Sequence, residues 1–288
     1  MISFDERFSF YTNNIFTDFK STNWNVPNEY LVHRQNKPIL IYEKNYEIEK
    51  IRMIHFCYNL KYEKPFMFIA NDGFDNCGFP CFQKTRTIEN HSKLSILLKL
   101  EYFRHWAPFY TYNDNIKWED KKNELIYRGA PTGTGDRINF VSKYYKEWNV
   151  GLSCVLQHHG DKLNYLLKPS LTINDFYNYK YIISIEGNEK DSGINWKLAS
   201  NSLVMMKPPI FESWLMESYL KPFVHYVPLN DDFSNLDEMY NWCLNNDDKC
   251  REIVKNANSF MNNFKDVETE EKLINEIKNN YYNNFSFH

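Results

Sequence analysis

Apolar positions in the first third of the chain come as short runs closed by polar or turn-forming residues: Pro38–Tyr42, Arg52–Tyr58 and Pro65–Ala70. Runs that are apolar on both faces fit strands covered on two sides, and these are read as strands, although at this length a buried helical turn gives the same pattern. From about residue 123 the pattern changes. Glu124–Arg128 reads as a strand, Asp136 as a helix N-cap, and Ile138, Val141, Tyr144, Tyr145 and Trp148 recur at helical spacing. A strand near Leu152–Leu156, a strong one at Tyr179–Ile185, a helix around Asn195–Ser200 and strands at Ser202–Met206 and Phe223–Val227 follow, then an amphipathic helical stretch from Leu236 to Phe264. Alternating strand and helix implies parallel pairing and an α/β layer structure. The change of pattern divides the chain into an N-terminal domain, 1–120, a C-terminal domain, 121–265, and a helical tail, 266–288.

Glycine is scarce, nine in 288 residues, so its placement carries information. Gly129, Gly133 and Gly135 fall within one heptad, Gly187 and Gly193 flank a second loop, and Gly73 and Gly78 flank a third. These are the places where the backbone needs positive φ or a close approach. In Arg128-Gly-Ala-Pro-Thr-Gly-Thr-Gly-Asp-Arg137 a glycine-rich turn separates a strand from a helix N-terminus. Backbone N–H groups then converge where the helix dipole is positive, which prepares an anion site. A cation in the first helical turn, Arg137, is unfavourable by roughly 0.3–1 kcal/mol unless a negative partner is present. Arg128 adds a second planar fork, and Thr132 and Thr134 add hydroxyls, so the loop suggests a diphosphate. An ordinary strand-to-helix turn with surface arginines explains one arginine better than two. GxxxxGK[ST] and GxGxxG are both missing, which removes the usual support for ATPase and NAD readings.

The second loop, Ile185 to Lys197, leaves the end of the best strand and enters a helix. Ligands of open α/β sheets bind at the carboxyl ends of strands, so Glu186 or a nearby carboxylate is placed to bond ribose hydroxyls, with Asn195 and Lys197 near phosphate or base. Solvated loop charges, with Asn195 as a cap, are the competing reading. The third loop, Asn71–Gly78, offers Asp72 as a general base, a role worth roughly 10²–10⁴ in rate, and Asp75 as the next choice. A turn-forming Asp fits the same spacing.

Charge and composition exclude several classes. A net charge of −3 argues against a general polyanion binder, so nucleic acid is not an expected partner. No apolar run approaches the roughly 18–20 residues of a membrane span, and the first residues lack a basic then apolar leader, which points to the cytosol. The six cysteines form no CxxC pair, Cys77 and Cys81 being the only close ones, and buried thiols are expected. His158 and His159 lack a partner at ligand spacing, Asp231-Asp232 and Asp247-Asp248 read as turns or caps, and D-x-D is absent. No metal is expected.

The stretches Leu125–Gly133, Tyr179–Asn188, Leu198–Met206 and Glu212–Pro228 resemble glycosyltransferase family 90, the protein O-glucosyltransferases, capsule xylosyltransferases and bacterial lipopolysaccharide glycosyltransferases. The resemblance is good from about 120 to 265, weak before it, and nearer to bacterial or viral members, made in the bacterial cytoplasm or an infected cell. It implies a GT-B architecture, two facing Rossmann-like domains with parallel sheets. It also implies a UDP-sugar donor, with glucose or xylose, held by the C-terminal domain, a glycan acceptor, inversion at the anomeric carbon, and neither cofactor nor metal. Carried over, Arg128, Gly129, Thr132, Gly133, Thr134 and Arg137 look like donor-phosphate contacts. Glu186, Gly187, Asn188, Asn195 and Lys197 look like the second donor loop, with Ser202 beyond it. Asp72 looks like the acceptor-activating Asp. The family usually shows Asp followed closely by Pro, whereas Gly73-Phe74 follows here, so Asp75 remains a candidate. The alternatives from other classes are a noncatalytic glycan- or nucleotide-binding protein, and a metal-dependent hydrolase.

Overall fold

A computed structural model describes residues 1–20, 22–25, 38–41, 66–69, 78–100 and 102–287. The chain forms two compact units, one of Met1–Phe103, Ile210–Ser218 and Asn263–His288, the other of Arg104–Pro209 and Tyr219–Asn262. The expected boundary at 120/121 therefore falls at 103/104, and the expected tail is part of the N-terminal unit. Its helix, Val267–Asn284, buries Leu273, Ile274, Ile277 and Tyr281. The Tyr281 hydroxyl accepts from Met67 N at 3.0 Å and donates to Pro80 O at 2.8 Å. Apolar burial and two hydrogen bonds thus hold the end of the chain in that core.

The N-terminal unit carries a four-stranded sheet in the order Pro38–Ile41, Phe66–Ile69, Cys81–Gln83, Ser95–Leu97. The first pair is antiparallel and the other two are parallel. The sheet is mixed, where two parallel sheets were expected. The runs at Pro38–Tyr42 and Pro65–Ala70 are strands within the described residues; Arg52–Tyr58 lies outside them.

The C-terminal unit is built on five strands: β1 (Lys122–Gly129), β2 (Asn149–Leu152), β3 (Tyr179–Ser184), β4 (Leu203–Met206) and β5 (Val227–Pro228). All neighbours are parallel, in the order β2-β1-β3-β4-β5. Alternation sends Leu125 and Tyr127 of β1 to one face, where Phe140, Val141 and Tyr144 of the helix Asp136–Tyr144 pack. Ile126 goes to the other, with Ile182, Phe176 and Trp196. A sheet covered twice needs strands apolar on both sides, hence the unbroken run in Tyr179–Ile185.

Four local expectations shift. β2 ends at Leu152, where the expected strand began. Of the next expected strand, Phe223–Val227, only Val227 joins the sheet, in a short strand with Pro228, because Phe223 sits in a turn with φ +58°. Asp136 is the first helical residue, and the cap is Gly135 at φ +103°. The long C-terminal helix breaks at Asn246 between Leu236–Asn245 and Asp247–Met261.

Candidate functional site

The chain leaves β1 to form β2 on one side and then returns to form β3 on the other. In such sheets the crossovers on the two sides diverge between these strands, and the crevice beyond their carboxyl ends is where ligands bind. The loops issuing there are those that the glycines marked, Gly129–Gly135 after β1 and Ile185–Gly193 after β3.

The two loops meet backbone to backbone. A Cβ on Gly133 would lie 2.5 Å from the carbonyl carbon and oxygen of Gly187, and Gly133 has φ +98°. Arg137 clamps this contact. Its Nε and Nη2 donate to Ile185 O at 3.1 and 2.9 Å, and Nη1 donates to Thr132 Oγ1 at 2.8 Å and to Ala130 O at 3.3 Å. The guanidinium expected to face phosphate thus ties one loop to the other. Beneath the first loop, the buried Tyr127 hydroxyl has no hydrogen-bond partner among the described residues, and any Cβ on Gly129 would strike it. Burial pushes this phenol well above its usual range.

The second loop closes around Asp191. Its carboxylate accepts from Ser184 Oγ at 2.6 Å, from Gly193 N at 3.0 Å and from Lys197 Nζ. Burial alone would raise this carboxyl, but the charges of Lys197 and Arg137, with hydrogen bonds from Lys197 and Ser184, bring it down to about 2. Lys197, lowered by the same burial, also donates to Ile183 O at 3.1 Å. Lys190 Nζ reaches Asn195 Oδ1 at 3.1 Å and lies over the Trp106 ring, and Arg104 donates to Glu189 at 3.2 Å. The Asn195 side chain is fully buried, and its Nδ2 has no partner among the described residues.

The expected site residues divide accordingly. Gly129, Thr132, Gly133, Thr134, Arg137, Glu186, Gly187, Asn188, Asn195 and Lys197 lie on or under the two loops; Thr134 and Asn188 are exposed and Glu186 is half-buried. Arg128 is on the Ile126 face of β1, opposite the helix that follows the loop. Its donors go to Asn149 O at 2.9 Å, Asn149 Oδ1 at 2.8 Å, Tyr127 O at 2.7 Å and Pro169 O at 3.0 Å. Ser202 lies at the other end of the sheet, just before β4, where its hydroxyl donates to Tyr179 O at 2.7 Å. Asp72 and Asp75 lie outside the described residues. No sequence motif marks Lys207, directly after β4, whose Nζ is 2.7 Å from Asp136 Oδ2. Among the described residues no cluster of three His, Cys, Asp or Glu side chains is arranged to hold a metal ion, and no helix is long and apolar enough to cross a membrane.

A doubly covered parallel sheet with two glycine loops at its switch point defines an α/β protein, and comparison with known proteins narrows this to a glycosyltransferase. Residues 105–274 match the profile of Glycosyl transferase family 90, and the chain belongs to that family. O-glucosyltransferase LpsA of Dichelobacter nodosus is 34% identical over 191 residues, covering 66% of this chain and 58% of that protein. Uncharacterized protein 035R of Invertebrate iridescent virus 3 is 27% identical over 58% of this chain and 17% of its own length. Protein O-glucosyltransferase 2 of Danio rerio is 27% identical over 50% of this chain and 29% of its own length. The matched regions thus span little more than half of the first relative and less than a third of the other two.

Proposed function

We propose that the chain is an inverting, metal-independent glycosyltransferase that moves glucose or xylose from a UDP-sugar to a hydroxyl of a glycan or protein acceptor in the cytoplasm. A GT-B type of fold, as the family resemblance implies, is part of the same proposal. The reading rests on one observation above all: two glycine loops meet at the switch point, and a nine-residue helix, Asp136–Tyr144, begins directly behind the first. Backbone N–H groups and the helix dipole there favour a diphosphate, and stabilise charge that grows as the leaving group departs.

In this mechanism a carboxylate removes the acceptor hydroxyl's proton as its oxygen attacks C1 of the donor sugar. The C1–O bond to the diphosphate breaks in the same step, and no covalent intermediate forms. Asp72 is assigned as the base on the family resemblance, with Asp75 as the alternative. The O-glucosyltransferase names of the relatives support glucose as the first sugar to try.

The deciding experiment incubates the protein with a panel of UDP-sugars and follows UDP release and thermal stabilisation, since a ligand that binds the native state raises stability as RT ln(1 + [L]/Kd). Stabilisation by one UDP-sugar, with slow EDTA-insensitive release of UDP, supports the reading. UDP-sugar binding without turnover in the presence of glycan acceptors would leave a noncatalytic binder. Free sugar as the main, metal-dependent product would make it a hydrolase.

A further inference from the structure

Three cations expected at the donor are engaged by the protein itself: Arg128 by Asn149 and Pro169, Arg137 by Ile185 and Thr132, Lys197 by Asp191 and Ile183. A different cation stands at the carboxyl ends of the strands. Lys207 follows Met206, the last residue of β4, and its Nζ lies 2.7 Å from Asp136 Oδ2, 4.0 Å from Asp231 Oδ1 and 5.4 Å from the centre of the Phe233 ring.

Asp136 is the first residue of the helix behind the glycine loop. Its carboxylate occupies the position where the dipole favours negative charge, so the pair marks the place where a ligand anion would be held. The pair is reachable, with 23% of the Lys207 side chain and 34% of Asp136 exposed. Asp231 is 97% exposed, and its interaction is correspondingly screened. At the root of the same loop, under Gly129, the buried Tyr127 hydroxyl is a donor with no partner among the described residues, in a setting where proteins as a rule pair their polar groups.

We propose that Lys207 is the side-chain cation that meets the donor's diphosphate, and that Asp136 tunes this contact by competing with phosphate for the same ammonium group. The proposal rests on the reading that the two loops hold a nucleotide sugar. A lysine suits the position because its three N–H donors radiate from a point and serve a carboxylate and a phosphate together, where the planar fork of an arginine would favour one partner.

Calorimetric titration of the full chain with UDP, pyrophosphate and uridine tests this. Lys207→Gln should weaken UDP and pyrophosphate about tenfold or more while leaving uridine unchanged, and Lys207→Arg, which keeps the charge but not the radiating donors, should fall between Lys207→Gln and the wild type. Asp136→Asn should tighten UDP about threefold or more by releasing the ammonium, a gain that vanishes in the double variant with Lys207→Gln. Wild-type UDP affinity in Lys207→Gln, or weaker UDP binding in Asp136→Asn, overturns the proposal and leaves the nucleotide-sugar reading standing. If Lys207→Gln does not fold, the sign of the Asp136→Asn effect decides alone. A wild-type protein that binds no UDP overturns both.

Discussion

Gly133 and Gly187 touch through their backbones, so close that a methyl group on Gly133 would sit 2.5 Å from the Gly187 carbonyl. The contact joins the loops after β1 and β3 and excludes any side chain from Gly133. Gly133→Ala should cost about 1–3 kcal/mol, from the collision and from φ +98°, and should separate the loops. Urea unfolding with UDP titration checks both; wild-type UDP affinity in a folded Gly133→Ala would show that the contact does not shape the site.

Arg137 and Arg128 differ in kind although nine residues and one loop relate them. Arg137→Ala removes the clamp between the loops and should lower UDP affinity by about tenfold or more, because misplaced groups lose binding even where the fold survives. Arg128→Ala breaks bonds to Asn149 and Pro169 at the other face and should cost about 1–3 kcal/mol of stability, with donor affinity changed less than about threefold. Donor kinetics and denaturation of the two variants side by side would show the contrast, and equal effects on UDP affinity would refute it.

Asp191 and Lys197 are mutually dependent. Asp191→Asn leaves a buried ammonium without its carboxylate and should cost about 3–5 kcal/mol, whereas adding Lys197→Met should recover most of the loss. The same pair sets a pH response. The folded protein keeps Asp191 ionised down to about pH 2, while the unfolded chain takes up that proton near pH 3.9, so the stabilisation is complete above about pH 4 and fades as pH falls toward 2. Unfolding free energies across that range should fall less steeply for the double variant than for the wild type.

The last helix tests how the N-terminal unit is held. Tyr281→Phe strips partners from Met67 N and Pro80 O, and should cost about 1–3 kcal/mol. Removing 266–288 should unfold that unit, seen as loss of its cooperative transition in calorimetry. A truncated chain with an unchanged thermogram would mean that the segment is a dispensable tail.

The base is open to direct assay. Asp72→Asn should abolish transfer with UDP affinity nearly intact; if Asp75→Asn does so instead, the carboxylate is Asp75.

The loops of the site were legible because glycines in a glycine-poor chain stood between an apolar run and a helical period, and nothing else in the sequence had that form. The direction of Arg128 was written there too, since a side chain two positions after Ile126 shares its face, but the proximity of Arg128 to the glycine turn outweighed the alternation. Ser202 lay in a matching stretch yet precedes its strand, which puts it at the wrong end of the sheet. Lys207 was illegible for a simple reason: a lysine after an apolar strand is common, and only the parallel order of β3 and β4 brings it to Asp136. The place of the last helix depends on partners some two hundred positions away, such as Met67 and Pro80, which no local pattern reports.

Because the N-terminal unit needs Ile210–Ser218 and Asn263–His288, while the parallel-sheet unit is complete by Asn262, synthesis and architecture run in opposite orders. The half that emerges first from the ribosome must wait for residues 263–288, and its apolar strands stay unshielded meanwhile. Nascent chains stalled once residue 262 has cleared the ribosome, with residues 263–288 still inside it, should therefore protect the later half from protease and leave the earlier half open to cleavage.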